Sequence, residues 1–308
     1  MKNIVCDLNY LDHETLALVL GDEDRNIRLM ENYYNVKIEV ERSVVYCDDD
    51  SKVKILKKVF EALISECQSN GYIDTQDVNS ILNDNYYKEF IANGIGLKKF
   101  YLRTKGQKDL YQAFENNVIT IAVGPAGTGK TFLAVVYAYN MLKKDLIKKI
   151  IITRPVVESG ESLGFLPGDL KEKVDPYLRP IYDSFDALIS SENTAKLIEK
   201  GILEIAPLAY MRGRTLNDAC IILDEAQNTI PSQIKMFMTR LGFNSKMIIT
   251  GDITQIDLPK PKNSGLIEAI RIVRDISEIE VVYMSNKDVV RHPVVQKIID
   301  AYEKAEEK

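Results

Sequence analysis

The segment GPAGTGKT, residues 124–131, has the residue types and spacing of a phosphate-binding loop. It fits the pattern G-x-x-x-x-G-K-S/T, follows the apolar run VITIAV and precedes the helical run TFLAVVYAYNML. Glycines let backbone amides close around phosphate oxygens, and the N-terminus of the next helix adds partial positive charge. We therefore predict a nucleotide-binding loop rather than a strand–helix turn without a ligand. Its predicted binding residues are Gly124, Pro125, Ala126, Gly127, Thr128, Gly129, Lys130 and Thr131.

Four side chains have the chemistry of Mg²⁺-dependent ATP hydrolysis. We expect Lys130 to reach the β- and γ-phosphates of ATP and Thr131 to bind Mg²⁺. Asp224 and Glu225 end an apolar run, ILDE, at the point where strands of open α/β sheets bind ligands. Asp224 is the predicted second Mg²⁺ ligand, and Glu225 is the predicted base that positions and polarises the attacking water. A glutamate directly after the Mg²⁺-binding aspartate favours hydrolysis over transfer to a bound acceptor, which disfavours a small-molecule kinase.

Two glutamines are candidates for contacts at the two ends of the nucleotide. Gln255 closes the segment TGDITQ after the next apolar run, and we predict that it contacts the γ-phosphate, supported by Thr250 and Asp252. Gln107 precedes the helical run DLYQAF, and its amide could pair with both a donor and an acceptor on adenine.

The elements that must position these residues follow an alternating pattern of strand and helix. Near-continuous apolar strands separated by helical stretches predict a parallel sheet with helices on both faces. The predicted strands are VITIAVG (118–124), KIIITR (149–154), ILEIAP (202–207), CIILDE (220–225), KMIITGD (246–252) and IEVVYM (279–284).

The N-terminal part of the chain does not follow this alternation of apolar strands and helices. We expect residues 1–84 to form a small α+β domain, residues 85–106 to form a connector without clear periodicity, and residues 107–308 to form the nucleotide-binding domain. The predicted elements of the small domain are a helix in DEDRNIRLMENYY, strands in VKIEVE and SVVYCD, a helix in SKVKILKKVFEALISECQ and a last helix in TQDVNSIL.

Composition excludes several classes of protein. The chain is 45% hydrophobic and 28% charged, and it contains no apolar run long enough for a transmembrane helix. An N-terminus without an apolar signal core predicts a cytoplasmic protein. Four scattered cysteines and two histidines disfavour a zinc site or a disulfide framework. Residues 1–95 carry 10 Lys or Arg and 18 Asp or Glu, so bulk charge gives no support for nonspecific binding of nucleic acid.

Long segments from Gln107 onward resemble the PhoH family of ATPases: GPAGTGKT, ITRPVVESGESLGFLPGDLKEKVDPYLRPIYD, APLAYMRGRTLNDACIILDEAQN, MFMTRLGFNSKMIITGDITQIDLP and VVRHPVVQKI. The resemblance covers roughly residues 100–303 and implies a RecA-like core close to that of superfamily 1 helicases. In that comparison Gln107 looks like the adenine-binding glutamine, Asp224–Gln227 is similar to the second ATP motif, and Gly251–Gln255 is similar to the third. The family name is linked to phosphate starvation, and the resemblance implies a role in RNA metabolism, including beside an endoribonuclease.

The N-terminal domain resembles the KH-like domain of PhoH-like proteins. A working KH module clamps nucleotides with a GXXG loop. Here Gly21 is followed by Asp22, Glu23 and Asp24, which would put acidic groups where phosphates bind. This departure favours protein docking or assembly over RNA binding for this domain.

A hydrolytic site of this type gains a large rate factor from an arginine at the γ-phosphate. Superfamily 1 helicases supply it from a second core, for which residues 258–308 are too few, so an unwinding helicase is the weakest hypothesis. Either a neighbouring copy or a partner supplies the arginine, and the first option predicts a heterologous oligomer such as a ring, for example a hexamer. Arg214 and Arg291 are the favoured candidates. Three other arginines remain open: Arg154, at a strand end, could serve the site or a nucleic-acid path, and Arg212 and Arg240 are further candidates.

The long segment from Pro155 to Asp183 is punctuated by glycines, and a segment of this length within a compact core is usually functional. It could contribute a path for single-stranded nucleic acid, since it combines charge with an aromatic platform. A contact between subunits is equally compatible with its many acidic residues. The candidate path residues are Lys171, Lys173, Tyr177 and Arg179.

Overall fold

The computed structural model of the 308-residue chain describes residues 2–73, 75–82, 89–93, 99–155, 170–259, 264–290 and 298. The chain divides into two compact units, Met1–Tyr87 together with Val290–Lys308, and Lys88–Val289. Within the described ranges, the helices are too short or too polar to cross a membrane.

The first unit is an α+β structure with a three-stranded antiparallel sheet. Its strands pair in the order β1-β3-β2, and helix α3 supplies buried Leu56, Phe60 and Leu63 to the core. The predicted helices and strands of this part are present, whereas β1 and α1 were not predicted. The elements are β1 (Asn3–Asp7), α1 (His13–Leu20), α2 (Arg25–Tyr34), β2 (Ile38–Glu41), β3 (Val44–Cys47), α3 (Val53–Asn70) and α4 (Thr75–Leu82).

The second unit contains a six-stranded parallel sheet in the order β11-β6-β10-β9-β7-β8. This sheet confirms the predicted fold class, and each of the six predicted strands is present. The strands of this sheet are β6 (Ile119–Val123), β7 (Lys149–Arg154), β8 (Leu203–Pro207), β9 (Ala219–Leu223), β10 (Lys246–Gly251) and β11 (Ile279–Tyr283). The helices of the unit are α5 (Lys105–Asn116), α6 (Lys130–Lys143), α7 (Leu170–Ile189), α8 (Ser191–Glu199), α9 (Pro231–Met238) and α10 (Gly265–Val273).

The register of the sheet aligns the carboxyl ends of its central strands. Gly251 of β10 pairs with Val123 of β6, and Thr153 of β7 pairs with Leu223 of β9. Strands β6 and β9 are buried along their whole length, which is why their sequences are uninterrupted apolar runs. The residues that follow these strands therefore meet at one edge of the sheet.

A short antiparallel hairpin precedes α5, in the stretch for which the sequence showed no periodicity. It consists of β4 (Glu89–Asn93) and β5 (Lys99–Leu102). The ring of Phe100 lies 5.0 Å from the ring of Phe132 on α6, measured between centroids. The hairpin thus packs against the helix that begins at the glycine-rich loop.

Lys246, the first residue of β10, stabilises the C-terminal end of α5. Its Nζ donates hydrogen bonds to the carbonyl oxygens of Phe114 (2.6 Å), Glu115 (2.6 Å) and Asn117 (2.9 Å). The last carbonyls of a helix have no partner within the helix, so a cation at this position satisfies them and offsets the negative end of the helix dipole.

Candidate nucleotide-binding site

The loop between β6 and α6 adopts a conformation that requires glycine. Gly127 and Gly129 have φ angles of 87° and 85°, in the left-handed region that side chains disfavour. Gly124 is needed for a different reason: a Cβ there would lie 2.8 Å from Cβ of Met284 and 2.9 Å from its carbonyl oxygen. The loop thus closes tightly against Met284, the residue that follows β11, and turns directly into the N-terminus of α6.

Lys130 is folded back under this loop. Its Nζ donates to the carbonyl oxygens of Gly124 (2.7 Å) and Pro125 (2.8 Å) and lies 3.4 Å from Oγ1 of Thr128. Only 8% of the residue is exposed, so these oxygens replace the water that a buried ammonium group loses. The ammonium is held where the loop is predicted to carry phosphate.

Two threonine hydroxyls converge on the carboxylate of Asp224. Oγ1 of Thr131 donates to Oδ1 at 2.7 Å, and Oγ1 of Thr250 donates to the same oxygen at 2.6 Å. These three residues come from α6, from the turn after β9 and from β10. Hydroxyl and carboxylate oxygens are the hard donors that Mg²⁺ prefers, so Thr131 and Asp224 fit the predicted metal site by their chemistry and contact.

Glu225 is held in a left-handed backbone conformation, with φ 53° and ψ 40°. Such a conformation costs a non-glycine residue on the order of 1 kcal/mol and persists where the surroundings enforce it. Its carboxylate is bound on both oxygens: Oε1 lies 3.2 Å from a guanidinium nitrogen of Arg154, and Oε2 accepts from Nε2 of Gln227. The strained turn places Glu225 at the mouth of the site, beside Asp224.

Gln227 connects the turn after β9 with the turn after β10. Its Nε2 also donates to the carbonyl oxygen of Gln255 at 3.0 Å, and its Oε1 accepts from the backbone N–H of Asp252 at 3.0 Å. The side chain is fully buried. Every polar atom of this amide is therefore used to fix the two segments that carry the predicted base and the predicted γ-phosphate contact.

Asp252 joins the same network to the glycine-rich loop. Its Oδ2 accepts from the backbone N–H of Ala126 at 3.1 Å, and its Oδ1 accepts from the N–H and hydroxyl of Thr254. A carboxylate that binds a loop amide holds that part of the loop against β10.

These groups surround one cavity of about 320 Å³. It brings together five of the eight predicted residues of the loop, the two carboxylates after β9 and the segment after β10, and it adds residues of α7. Gly124, Pro125, Thr128 and Gln107 do not line it. Its lining consists of Ala126, Gly127, Gly129, Lys130, Thr131, Phe132, Arg154, Pro180, Ser184, Asp224, Glu225, Gly251, Asp252 and Gln255.

The profile of the PhoH-like protein family matches residues 99–303 of this chain. The chain belongs to the PhoH-like protein family. It is 48% identical to a PhoH-like protein of Bacillus subtilis over 302 residues, covering 94% of each chain, and 43% identical to a PhoH-like protein of Mycobacterium tuberculosis over 299 residues, covering 94% of this chain and 85% of that one. Among solved structures it is similar to the UvsW helicase of bacteriophage T4, with 12% identity, a TM-score of 0.36, and coverage of 79% of this chain and 84% of that chain. Similarity of that degree supports no assignment of function.

Membership of the PhoH-like family confirms the resemblance found in the sequence. The parallel sheet, the glycine-rich loop and the cavity beside it give this PhoH-like chain a P-loop NTPase fold with a nucleotide-binding site.

Gln107 of this PhoH-like chain lies against the loop, as the third residue of α5. Its Nε2 donates to the carbonyl oxygen of Thr128 at 3.1 Å, and its Oε1 accepts from the N–H of Arg103 at 2.7 Å. The amide is 6% exposed, and both of its polar groups are engaged by the protein. Pairing with adenine would therefore require Gln107 to exchange at least one of these hydrogen bonds.

The predicted arginines have different positions in the PhoH-like fold. Arg214 forms a two-pronged ion pair with Glu204 of β8, with N–O distances of 2.6 and 2.7 Å, and it does not line the cavity. This contact lowers the pKa of Glu204 below its ordinary value and raises that of Arg214. Arg240 donates to the carbonyl oxygen of Arg214 at 2.9 Å. Arg291 lies outside the described residues.

Among the described residues, Arg154 is the arginine that lines the cavity, although the sequence favoured others. Its position at the end of a predicted strand was the available signal. Gln227 was recognised only as part of a motif, because nothing in a linear pattern shows that one buried amide contacts residues after two different strands.

Proposed function

We propose that this protein hydrolyses ATP with Mg²⁺. The observation that carries the proposal is the contact between the Thr131 hydroxyl and the Asp224 carboxylate, 2.7 Å apart, with Glu225 next in the chain. A loop hydroxyl joined to a strand-end carboxylate is the arrangement expected for residues that share a metal ion in P-loop NTPases. The carboxylate of Glu225 at the adjacent position suits the activation of water.

Each residue of the site has a separate role in the proposed hydrolysis. Lys130 binds the β- and γ-phosphates, while the loop amides and the N-terminus of α6 surround the remaining phosphate oxygens. Thr131 and Asp224 hold Mg²⁺, which neutralises charge on the phosphates when bound. Glu225 orients a water molecule and accepts its proton, and Gln255 contacts the γ-phosphate. Gln107 pairs with adenine after giving up its hydrogen bond to Thr128. This pairing gives a preference for ATP over nucleoside triphosphates with other bases.

Phosphate release from ATP, measured with Mg²⁺ and with excess EDTA, tests the proposal. We expect release only with Mg²⁺, and we expect Lys130→Ala to abolish it because the main phosphate-binding cation is lost. The matched control is Lys144→Ala, which changes an exposed lysine just after α6. Equal release by the parent and by Lys130→Ala would refute the assignment.

RNA, or an RNA-processing endoribonuclease, is the proposed macromolecular partner, and the proposed location is the cytoplasm. Support for a nucleic-acid path beside the site comes from α7, where Arg179 is 72% exposed and the carbonyl oxygen of Tyr177 accepts from Arg154. The side chains of Lys171 and Lys173 lie outside the described residues. Single-stranded RNA should accelerate phosphate release if it binds along α7.

A nucleotide-dependent switch without contact to nucleic acid is the second candidate. The turn between α1 and α2 favours it, because Asp22, Glu23 and Asp24 are all exposed there and would repel phosphates. In a switch, RNA leaves the rate of hydrolysis unchanged, and capture of a protein partner depends on whether ATP or ADP is bound.

A further inference from the structure

Arg154 lies between the predicted catalytic carboxylates and helix α7. It is the last residue of β7, and its side chain is 20% exposed. One guanidinium nitrogen is 3.2 Å from Oε1 of Glu225, and the other is 4.0 Å from Oδ2 of Asp224. The latter nitrogen also donates to the carbonyl oxygen of Tyr177 at 3.1 Å.

The contact between Arg154 and Glu225 interferes with the expected role of Glu225 as a base. A base that activates water needs an oxygen directed at that water, but here one oxygen faces Arg154 and the other accepts from Gln227. A guanidinium binds carboxylate and phosphate oxygens with the same planar arrangement of donors. Phosphate oxygens entering the cavity would therefore compete with Glu225 for Arg154.

We propose that Arg154 binds the γ-phosphate of ATP and releases Glu225 when it does so. The inference rests on the proposed function, since it assigns the regulation of that same site. Without a γ-phosphate the base stays paired with Arg154; with one, the guanidinium turns to the phosphate and Glu225 is available to water. The hydrogen bond to the Tyr177 carbonyl anchors the guanidinium, so the exchange needs only a local movement.

Arg154 would therefore make the site distinguish a triphosphate from a diphosphate. Lys130 contacts phosphates that ATP and ADP share as well as the γ-phosphate, whereas Arg154 contacts only the group that hydrolysis removes. This role differs from that of an arginine supplied by a neighbouring copy, because Arg154 belongs to the cavity of its own chain.

The test compares the binding of adenylyl imidodiphosphate, a non-hydrolysable triphosphate, with that of ADP, both with Mg²⁺. Arg154→Gln should weaken binding of the triphosphate about tenfold, as expected for one lost charge-assisted contact, and should change ADP binding little. Arg274→Gln is the control, because Arg274 is an exposed arginine after α10 that does not line the cavity. An equal change for both nucleotides, or no change for either, overturns the inference.

A second measurement tests the exchange itself. Glu225→Gln should tighten triphosphate binding several-fold in the parent, because it removes the group that competes for Arg154, and should not do so when Arg154 is already Gln. Equal tightening in both backgrounds contradicts the exchange. Should Arg154→Gln fail to fold, as judged by thermal melting, Arg154→Lys serves in both measurements, since it keeps the charge but loses the planar pair of donors.

The outcomes separate this inference from the proposed function. A parent protein that binds neither nucleotide refutes the proposed function. A parent that binds both nucleotides, with the same ratio of affinities in folded Arg154→Gln, refutes only the role of Arg154.

Discussion

Gln227 donates a hydrogen bond from Nε2 to the carboxylate of Glu225 while its Oε1 accepts from the backbone N–H of Asp252. The residues after β9 and after β10 are thus joined through one buried amide. Gln227 binds only one of the two carboxylate oxygens of Glu225. It can therefore orient this base while the other oxygen remains able to exchange its contact with Arg154.

We predict that Gln227→Ala lowers kcat more than it weakens nucleotide binding. Glu225 would lose the hydrogen bond that orients it, and the N–H of Asp252 would lose its acceptor. A hydrogen bond to a charged group contributes about 1.5–3 kcal/mol, which corresponds to roughly a tenfold or larger loss in kcat. Steady-state kinetics together with ATP affinity measure the two effects. A rise in KM at constant kcat would contradict the positioning role.

We predict that Glu225→Gln binds ATP but does not turn it over. Glutamine keeps the size of the side chain and removes its basicity, so the loop and the metal ligands are unaffected. Equilibrium binding and single-turnover phosphate release distinguish the two steps, and Glu199→Gln, at the exposed end of α8, is the control. Turnover by Glu225→Gln at the parental rate excludes Glu225 as the base.

The sequence predicted the elements whose pattern is continuous over several consecutive residues, and it missed strands whose pattern is interrupted. The central strands could be predicted because β6 and β9 are buried on both faces and read as apolar runs. Strands β1, β4 and β5 were missed. The pairings of β1 with β3 and of β4 with β5 have an irregular register, between Ile4 and Cys6 and between Phe90 and Ala92, and such irregularities break the alternation that identifies a strand.

In the site, residues placed by a motif and its strand could be predicted, whereas a contact between distant segments could not. Lys130, Asp224 and Glu225 stand at fixed positions relative to their strands, so motif and strand together predicted that they would meet. The contact between Arg154 and Glu225 joins segments far apart in the chain and depends on β7 lying beside β9 in the sheet. Strand order is a property of the whole fold, and no local pattern contains it.

We predict that Lys246→Met destabilises the second unit. Three carbonyl oxygens at the end of α5 would lose a cationic donor. The expected loss in free energy of unfolding is about 1.5–3 kcal/mol, by the range for hydrogen bonds to charged groups. Thermal or urea unfolding measures it, with Lys149→Met as control because Lys149 is the exposed first residue of β7. An unchanged midpoint would show that water replaces Lys246 at no cost.

We predict that the ion pair between Arg214 and Glu204 stabilises the protein only above acidic pH. Arg214 holds the pKa of Glu204 below its ordinary value of 4.5. Because the folded-state pKa is the lower one, the stabilisation is fully present above pH 4.5 and is lost as the pH falls through the folded-state value. Urea midpoints measured across this range should fall less steeply on acidification for Glu204→Gln than for the parent. Parallel curves for the two proteins would contradict the prediction.

We predict that a neighbouring copy supplies an arginine to the hydrolytic site. Arg214 is one-third exposed and paired with Glu204 outside its own cavity, which leaves it accessible to another molecule. Loss of an arginine supplied in trans lowers kcat by roughly 10³-fold or more, so Arg214→Ala should be nearly inactive, and Arg291→Ala tests the other predicted arginine.

Mixing Arg214→Ala with Lys130→Ala should restore activity, since one copy contributes an intact loop and the other an intact arginine. Specific activity should also rise with protein concentration as oligomers form, in step with the mass from light scattering. A fully active monomer at nanomolar concentration would exclude an arginine in trans altogether, whereas inactive mixtures of two folded variants would exclude Arg214 as its source.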